Sequence, residues 1–279
     1  MDVLVSTEWL ADNLGTPGLR ILDATAFLPG TPRDAAAEYA EGHIPGARLL
    51  DIATLIDADD PTPGMLPSDA QATARLQALG IGQGDRIILY DDSPIHPAAR
   101  AWWMFRMFGF DAAILDGGLG KWRAESRPVE GGALAITPSD ITVTADRASV
   151  RTKADILANI VSGALPLVDA RGTGRFTGAE KEPREGMASG HIPGSRNLPY
   201  AALYKDDGTF KQGEELRAAF VAAGVDPDQP MITTCGSGVT AAIVMVGAHL
   251  LGNHDVALYD GSWSEWGFDP ATPKATGPA

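Results

Sequence analysis

The 279-residue chain holds a single cysteine, Cys235. No internal disulfide can form, which excludes a disulfide-stapled secreted scaffold, and a lone thiol suits a reducing cytoplasm. Basic residues are scarce: 22 Lys and Arg stand against 36 Asp and Glu, a net charge of −14. That balance argues against a nucleic-acid surface. It also repels anionic substrates at long range, so an anion site has to be built from a few local Arg, Lys or backbone N–H groups. Long apolar runs are missing too. The most apolar stretches, Ala101–Phe110 and Ala241–Leu251, fall short of the ~18 residues of a membrane span and read as buried helices. The start, Met1-Asp2-Val3-Leu4-Val5-Ser6, lacks the basic and apolar regions of an export signal. No Cys/His cluster has metal-ligand spacing, so no metal is expected. What is present, 44% hydrophobic and 21% charged residues, is ordinary for a globular protein. At roughly 150 residues per domain the length suggests two domains.

The chain repeats itself once. Gly42-His43-Ile44-Pro45-Gly46 recurs as Gly190-His191-Ile192-Pro193-Gly194, an offset of 148. Leu22-Asp23-Ala24 recurs as Val168-Asp169-Ala170 at 146, and Asp116-Gly117-Gly118 with Trp122 as Asp260-Gly261-Ser262 with Trp266 at 144. Three matches in one order at near-constant spacing point to a duplicated domain: residues 1–127, a linker over 128–152, and residues 153–279.

Strand-like and helix-like patterns alternate in both halves. Strands are expected at Arg20–Asp23, Arg86–Tyr90, Ala112–Leu115, Leu165–Asp169, Pro230–Thr234 and Asp255–Tyr259. Helices are expected at Pro97–Phe108, Lys153–Ser162, Glu214–Ala223 and Thr240–Leu251. This is the α/β pattern of a mostly parallel sheet flanked by helices. Within the linker, alternating Ile141–Thr144 suggests an edge strand, and the tail Pro270–Ala279 reads as a loosely held terminus.

The strongest local signal is Cys235-Gly236-Ser237-Gly238-Val239-Thr240. A cysteine at the carboxyl end of a parallel strand lies where α/β folds place their sites. Glycines let the loop curl and turn several N–H groups towards one centre. The following helix adds its N-terminal partial charge. Both effects favour the nucleophilic thiolate and would stabilise an anion or a persulfide. The bland alternative is a buried structural cysteine. A phosphatase loop is the chemical rival, but the position six beyond the cysteine, where such a loop carries its closing arginine, is Ala241.

With these motifs the sequence resembles the rhodanese/mercaptopyruvate sulfurtransferase family over nearly its whole length, as two tandem rhodanese-like domains. The Cys-Gly-Ser-Gly-Val-Thr loop is similar to the form of 3-mercaptopyruvate sulfurtransferases. Both Gly-His-Ile-Pro-Gly turns, the Asp-Gly…Trp segments and Ala101-Trp102-Trp103-Met104-Phe105-Arg106 fit the domain signatures. Overlaying Ile88–Asp91 on Ile232–Cys235 puts Asp91 in the cysteine's place. A carboxylate cannot accept a sulfane sulfur, so the first half is expected to be catalytically silent.

The resemblance implies a cytoplasmic sulfurtransferase working by ping-pong through a Cys235 persulfide, without cofactor. Arg175 and Arg184 would hold the donor's carboxylate, a task that suits a planar guanidinium. Gly236, Gly238, Val239 and Thr240 would supply N–H groups, and Ser237 a hydrogen bond or proton. The alternative for each arginine is a surface ion pair with Glu180, Glu182 or Glu185. His43 and His191 occur in both turns, the silent one included, which suggests a structural role. The implied donor is 3-mercaptopyruvate or thiosulfate, and the acceptor a thiol such as thioredoxin or glutathione, or cyanide. No nucleic acid or membrane is expected as partner. One departure bears on the donor: Ala53 and Gly64 stand where mercaptopyruvate enzymes carry the Asp and His of a proton relay with the loop serine. That keeps a thiosulfate:cyanide enzyme open, and a protein-thiol sulfur relay is a further alternative.

Overall fold

The computed structural model describes residues 1–28 and 30–279. The first half runs β1 (Leu4–Val5), α1 (Thr7–Asp12), β2 (Leu19–Asp23), α2 (Ala35–Glu41), β3 (Ala47–Leu49), α3 (Asp69–Ala78), β4 (Arg86–Tyr90), α4 (Ala98–Met107), β5 (Asp111–Leu115) and α5 (Gly118–Ala124). The second runs β6 (Val150–Arg151), α6 (Lys153–Ser162), β7 (Leu167–Asp169), α7 (Thr173–Thr177), β8 (Arg196–Asn197), α8 (Gly213–Ala222), β9 (Met231–Thr234), α9 (Ala241–Leu250), β10 (Val256–Tyr259) and α10 (Ser262–Trp266). Each half forms a five-stranded sheet, ordered β1-β5-β4-β2-β3 and β6-β10-β9-β7-β8. Every registered strand pair is parallel. The duplicated sequence thus builds one topology twice.

Parallel strands covered on both faces need apolar side chains on both. Ile87 to Tyr90 of β4 and Met231 to Thr234 of β9 are all buried. The helix after each of these strands is just as apolar: α4 buries Trp102, Trp103 and Phe105, and α9 is buried from Ala241 to Ala248. The two Gly-His-Ile-Pro-Gly turns are structural. The His43 ring stacks on Tyr39 and His191 on Phe176, both at 3.9 Å. Each Nδ1 meets a backbone carbonyl, at 2.7 and 2.9 Å.

The chain divides into two compact units, with the main boundary, Asp146/Arg147, inside the stretch read from sequence as a linker and two short segments assigned to the unit of the other half. Met1–Ala58, Leu66–Asp146 and Asp206–Thr209 form the first; Asp59–Met65, Arg147–Lys205 and Phe210–Ala279 form the second. Most of the expected linker therefore belongs to the first unit. Ile141–Thr144 is not an edge strand. Ile141 and Val143 are buried, but their backbone groups are met by α3: Gln77 Nε2 donates to Ile141 O at 2.8 Å, and Val143 N–H to Thr73 Oγ1 at 3.1 Å. Side chains of a helix have taken the part of a neighbouring strand. The tail is held as well. Ala275 bridges His191, Trp266 Nε1 donates to Pro273 O at 2.8 Å, and Thr272 is buried. Among the described residues no helix is long and apolar enough to cross a membrane.

Candidate active site

The candidate site lies wholly within the second unit. Strand β9 leads into Cys235, which is 2% exposed, and the loop runs from there into α9. The Cys235 N–H is already engaged, donating to Ser262 Oγ at 3.2 Å. By contrast, no N–H from Gly236 through Ala241 meets an acceptor among the described residues. Gly238, at φ +75°, supplies the left-handed step that curls the loop. The first N–H groups of a helix have no intrahelical partner and carry its positive end. The cysteine therefore opens a series of unfilled donors at the start of a ten-residue helix.

The start of α10 braces the loop from the other side. Trp263 N–H donates to Cys235 O at 3.0 Å, and Ser264 donates to Gly236 O through both N–H and Oγ at 2.7 Å. Ser262 stands at φ +48°, unusual for a residue with a side chain. Its hydroxyl accepts from Cys235 N–H while donating to Tyr259 O at 2.8 Å. Strain of this kind persists where surrounding contacts over-determine it.

Both arginines singled out by sequence converge on Gly236. Arg184 Nη1 donates to Ser264 Oγ at 2.6 Å, the hydroxyl that itself holds Gly236 O. Arg175 lies over Gly236 so closely that a Cβ there would be 3.1 Å from its Nη2. A side chain on the loop glycine would press on this guanidinium and shift it by a few tenths of an ångström. Arg175 is also ion-paired, as the surface alternative supposed, but with a fully buried partner. Nε and Nη2 donate to Glu182 Oε2 at 3.1 and 2.5 Å. This leaves the Nη1/Nη2 edge for a ligand. Glu182 Oε1 accepts from Arg171 Nη1 at 2.6 Å, and Arg171 Nη2 donates to Asp169 Oδ2 at 2.6 Å and Gly190 O at 2.9 Å. Burial alone would lower the Arg171 pKa, but Asp169 and Glu182 outweigh it and the net direction is up. The Trp263 ring covers the Arg171 guanidinium at 4.5 Å, so this tryptophan packs rather than lining an opening.

Ser237 is half-buried and has no hydrogen-bond partner among the described residues. Its carbonyl lies beside Gly64, where a Cβ would be 3.4 Å away. Gly64 has φ +87°, a backbone that disfavours any side chain. Ala53 gives its N–H to Asp51 Oδ1 at 3.0 Å. Neither position offers an ionisable side chain. Tyr200, not singled out by sequence, is close enough to sense both ends of the site. Burial raises its phenol pKa, Cys235 adds to the rise, and Arg175 opposes it. Arg171, Ser262 and Ser264 were not singled out either, and Glu182 was read only as a surface ion-pair alternative. Ser262 and Ser264 sat within a repeat already in view, and Arg171 stands where the first half has Thr25.

A buried thiol on a loop of open N–H groups, with Arg175 and Arg184 close to Gly236, is an arrangement of an α/β protein suited to an anion. The family of rhodanese-like domains matches residues 6–125 and 152–268, and the chain belongs to that family. It is 42% identical over 270 residues to human (Homo sapiens) 3-mercaptopyruvate sulfurtransferase, covering 94% of this chain and 91% of the relative. It is 43% identical over 279 residues to thiosulfate sulfurtransferase of Cricetulus griseus, covering 97% and 93%. The crystal structure of a 3-mercaptopyruvate sulfotransferase from Escherichia coli superimposes with a TM-score of 0.86 at 37% identity, covering 94% of this chain and 99% of that one.

Proposed function

We propose that this chain is a sulfurtransferase that takes the thiol sulfur of 3-mercaptopyruvate onto Cys235 as sulfane sulfur and passes it to a thiol or to cyanide. The observation that carries the proposal is the run of unfilled N–H groups from Gly236 to Ala241 around a buried cysteine. The Cys235 thiolate attacks the donor sulfur, the carbon–sulfur bond breaks, and the pyruvate enolate leaves to be protonated. The persulfide anion then occupies the loop, where preorganised N–H donors of Gly236, Ser237, Gly238, Val239 and Thr240 stabilise charge without reorganising. Arg175 offers its Nη1/Nη2 edge, and Arg184 its remaining N–H groups, to the donor carboxylate. Ser237 holds the donor carbonyl or hands on a proton. No metal or organic cofactor takes part in these steps.

A second reading, thiosulfate as the better donor, is favoured by Ala53 and Gly64. Sulfite leaves without a proton, whereas an enolate gains from general acid help worth about 10²–10⁴-fold. Cys235→Ser tests the mechanism. The variant is expected to fold but to lose all sulfur transfer with either donor, and intact-mass analysis should find one added sulfur on the wild type alone. Turnover retained in the variant would remove the proposed nucleophile.

A further inference from the structure

Four charged side chains run in alternating sign from the end of β7 to the cysteine loop. The side chains of Asp169, Arg171 and Glu182 are at most 1% exposed, and Arg175, on α7, ends the series at 25%. Arg171 is held on three sides. Its Nε and Nη2 donate to Asp169, Nη2 donates also to Gly190 O at 2.9 Å, and Nη1 donates to Glu182 Oε1 at 2.6 Å. Glu182 gives its other oxygen to Arg175, accepting from Nε at 3.1 Å and Nη2 at 2.5 Å. Turning the Arg175 guanidinium would break a charge-assisted bond to a carboxylate that is itself fixed. The edge left open faces the site. A Cβ on Gly236, the neighbour of Cys235, would lie 3.1 Å from Arg175 Nη2 and 3.8 Å from Nη1.

The same series settles charge as well as direction. Two carboxylates and two guanidiniums sum to zero, so Arg175 presents N–H donors whose positive charge is already answered. Arg184 differs. It donates to the neutral Ser264 hydroxyl at 2.6 Å, and no carboxylate pairs with it among the described residues. Away from bulk water a counter-charge is felt more strongly than at an open surface, so the fully buried Glu182 carboxylate bears on any anion that Arg175 meets.

We propose that Glu182 is a positioning residue for the sulfur donor, one that aims the open edge of Arg175 and cancels its charge, leaving Arg184 as the net cation of this arginine pair. The proposal rests on the sulfurtransferase reading above. Its consequence is selection by charge. One uncompensated guanidinium matches a donor with a single carboxylate, as in 3-mercaptopyruvate. Thiosulfate, a dianion, brings one charge more than the pair answers.

The test is the ratio of kcat/KM for thiosulfate to that for 3-mercaptopyruvate, compared with the wild-type ratio whichever donor is faster there. Glu182→Gln removes the counter-charge at nearly constant shape. The ratio is expected to rise about tenfold, on the order of the effect of a unit charge several ångströms away in a partly screened site, and the rise should shrink as salt is added. Glu182→Asp keeps the charge but shortens the reach. It should leave the ratio unchanged and raise KM for both donors about tenfold at constant kcat, the scale of one charge-assisted hydrogen bond. Arg184→Gln removes the net cation and should move the ratio the opposite way, downward. It leaves the buried series intact, so it tests the charge assignment even where Glu182→Gln fails to fold. A purely architectural Glu182 would lower both donors alike. An unchanged ratio in folded Glu182→Gln, or an equal fall for both donors in Arg184→Gln, would overturn the proposal. If neither donor leaves an added sulfur on Cys235 of the wild type by intact mass, the sulfurtransferase reading fails instead.

Discussion

The two halves build the same loop at the same place in the same topology and then fill it differently. After β4, Pro94 and Pro97 have no N–H at all, and every remaining N–H from Asp92 to Ala98 finds an acceptor. Asp91 Oδ1 takes Ser93 N–H at 3.3 Å and Oδ2 takes Ala98 N–H at 2.9 Å, while Thr25 Oγ1 takes Asp92 N–H at 3.0 Å. Ser93 accepts the other two, from Ile95 at 3.4 Å and His96 at 3.1 Å. The side chain standing in for the cysteine is therefore an internal anion that occupies the cradle. After β9 the N–H groups from Gly236 to Ala241 meet no acceptor among the described residues, and only Ala242 N–H is engaged, by Val239 O at 3.3 Å. The difference lies in chemistry more than shape: the first loop satisfies its donors internally, whereas the second leaves them open to the proposed substrate.

The brace behind each loop is also shared. Leu119 N–H meets Asp91 O at 3.1 Å just as Trp263 N–H meets Cys235 O at 3.0 Å. The residue before each lies in the left-handed region, Gly118 at φ +55° and Ser262 at φ +48°. A Cβ on Gly118 would be 2.3 Å from Asp91 O, so a serine does not fit there. In the second unit the serine is accommodated, and its hydroxyl fixes the Cys235 N–H.

The sharpest way to break the comparison uses the aligned pair Asp169 and Asp23. Asp169 is locked to the buried Arg171, whereas Asp23 has Thr25 N–H at 2.9 Å and no arginine at the matching position. Asp169→Asn leaves a buried guanidinium short of its counter-charge and is expected to cost about 3–5 kcal/mol, read as a lower denaturant midpoint of the second unit. A smaller loss would mean that Glu182 alone can hold Arg171.

Emptying the first cradle is the next test. Asp91→Ala strands the N–H groups of Ser93 and Ala98, at roughly 1–3 kcal/mol for a buried group left unpaired. It should also create an anion site where none is open now. Sulfate should then raise the melting temperature of the variant more than that of the wild type. Equal responses would show that the loop collapses once its carboxylate is gone.

The smallest effect carries the opposite sign. Burial pushes the Asp23 carboxyl above its ordinary value, hydrogen bonds from Thr25 pull against it, and nearby Asp91 adds to the rise. Between the ordinary value of 3.8 and the raised one, the folded state binds more protons than the unfolded state. Stability therefore falls as pH climbs through that window and stays lower above it. Asp23→Asn removes this penalty. It should stabilise the first unit at neutral pH by about 1 kcal/mol, the size of an ordinary point substitution, with the gain vanishing near pH 3 in pH-dependent unfolding. Destabilisation at pH 7 would show that the hydrogen bonds to the Asp23 carboxylate outweigh its burial.

What the sequence determined by itself was whatever depends on neighbours along the chain. Glycine stops, apolar runs and the ordered repeat predict two parallel α/β units, because strand and helix periodicity and turn sterics are local. The cysteine loop and its counterpart at Asp91 were legible for the same reason. Tertiary structure decided what depends on distant partners. Arg184 meets Ser264 across 80 residues, Ser264 meets Gly236 across 28, and residues 59–65 join the second unit despite lying in the first half. Alternating Ile141 and Val143 predicted a strand, yet their backbone groups found Gln77 and Thr73 on α3, since alternation specifies two faces and not the partner. Glu182 shows the same limit. Its charge offered a surface pair as the alternative reading, and only the meeting of Arg171 and Arg175 over one carboxylate made full burial of its side chain affordable.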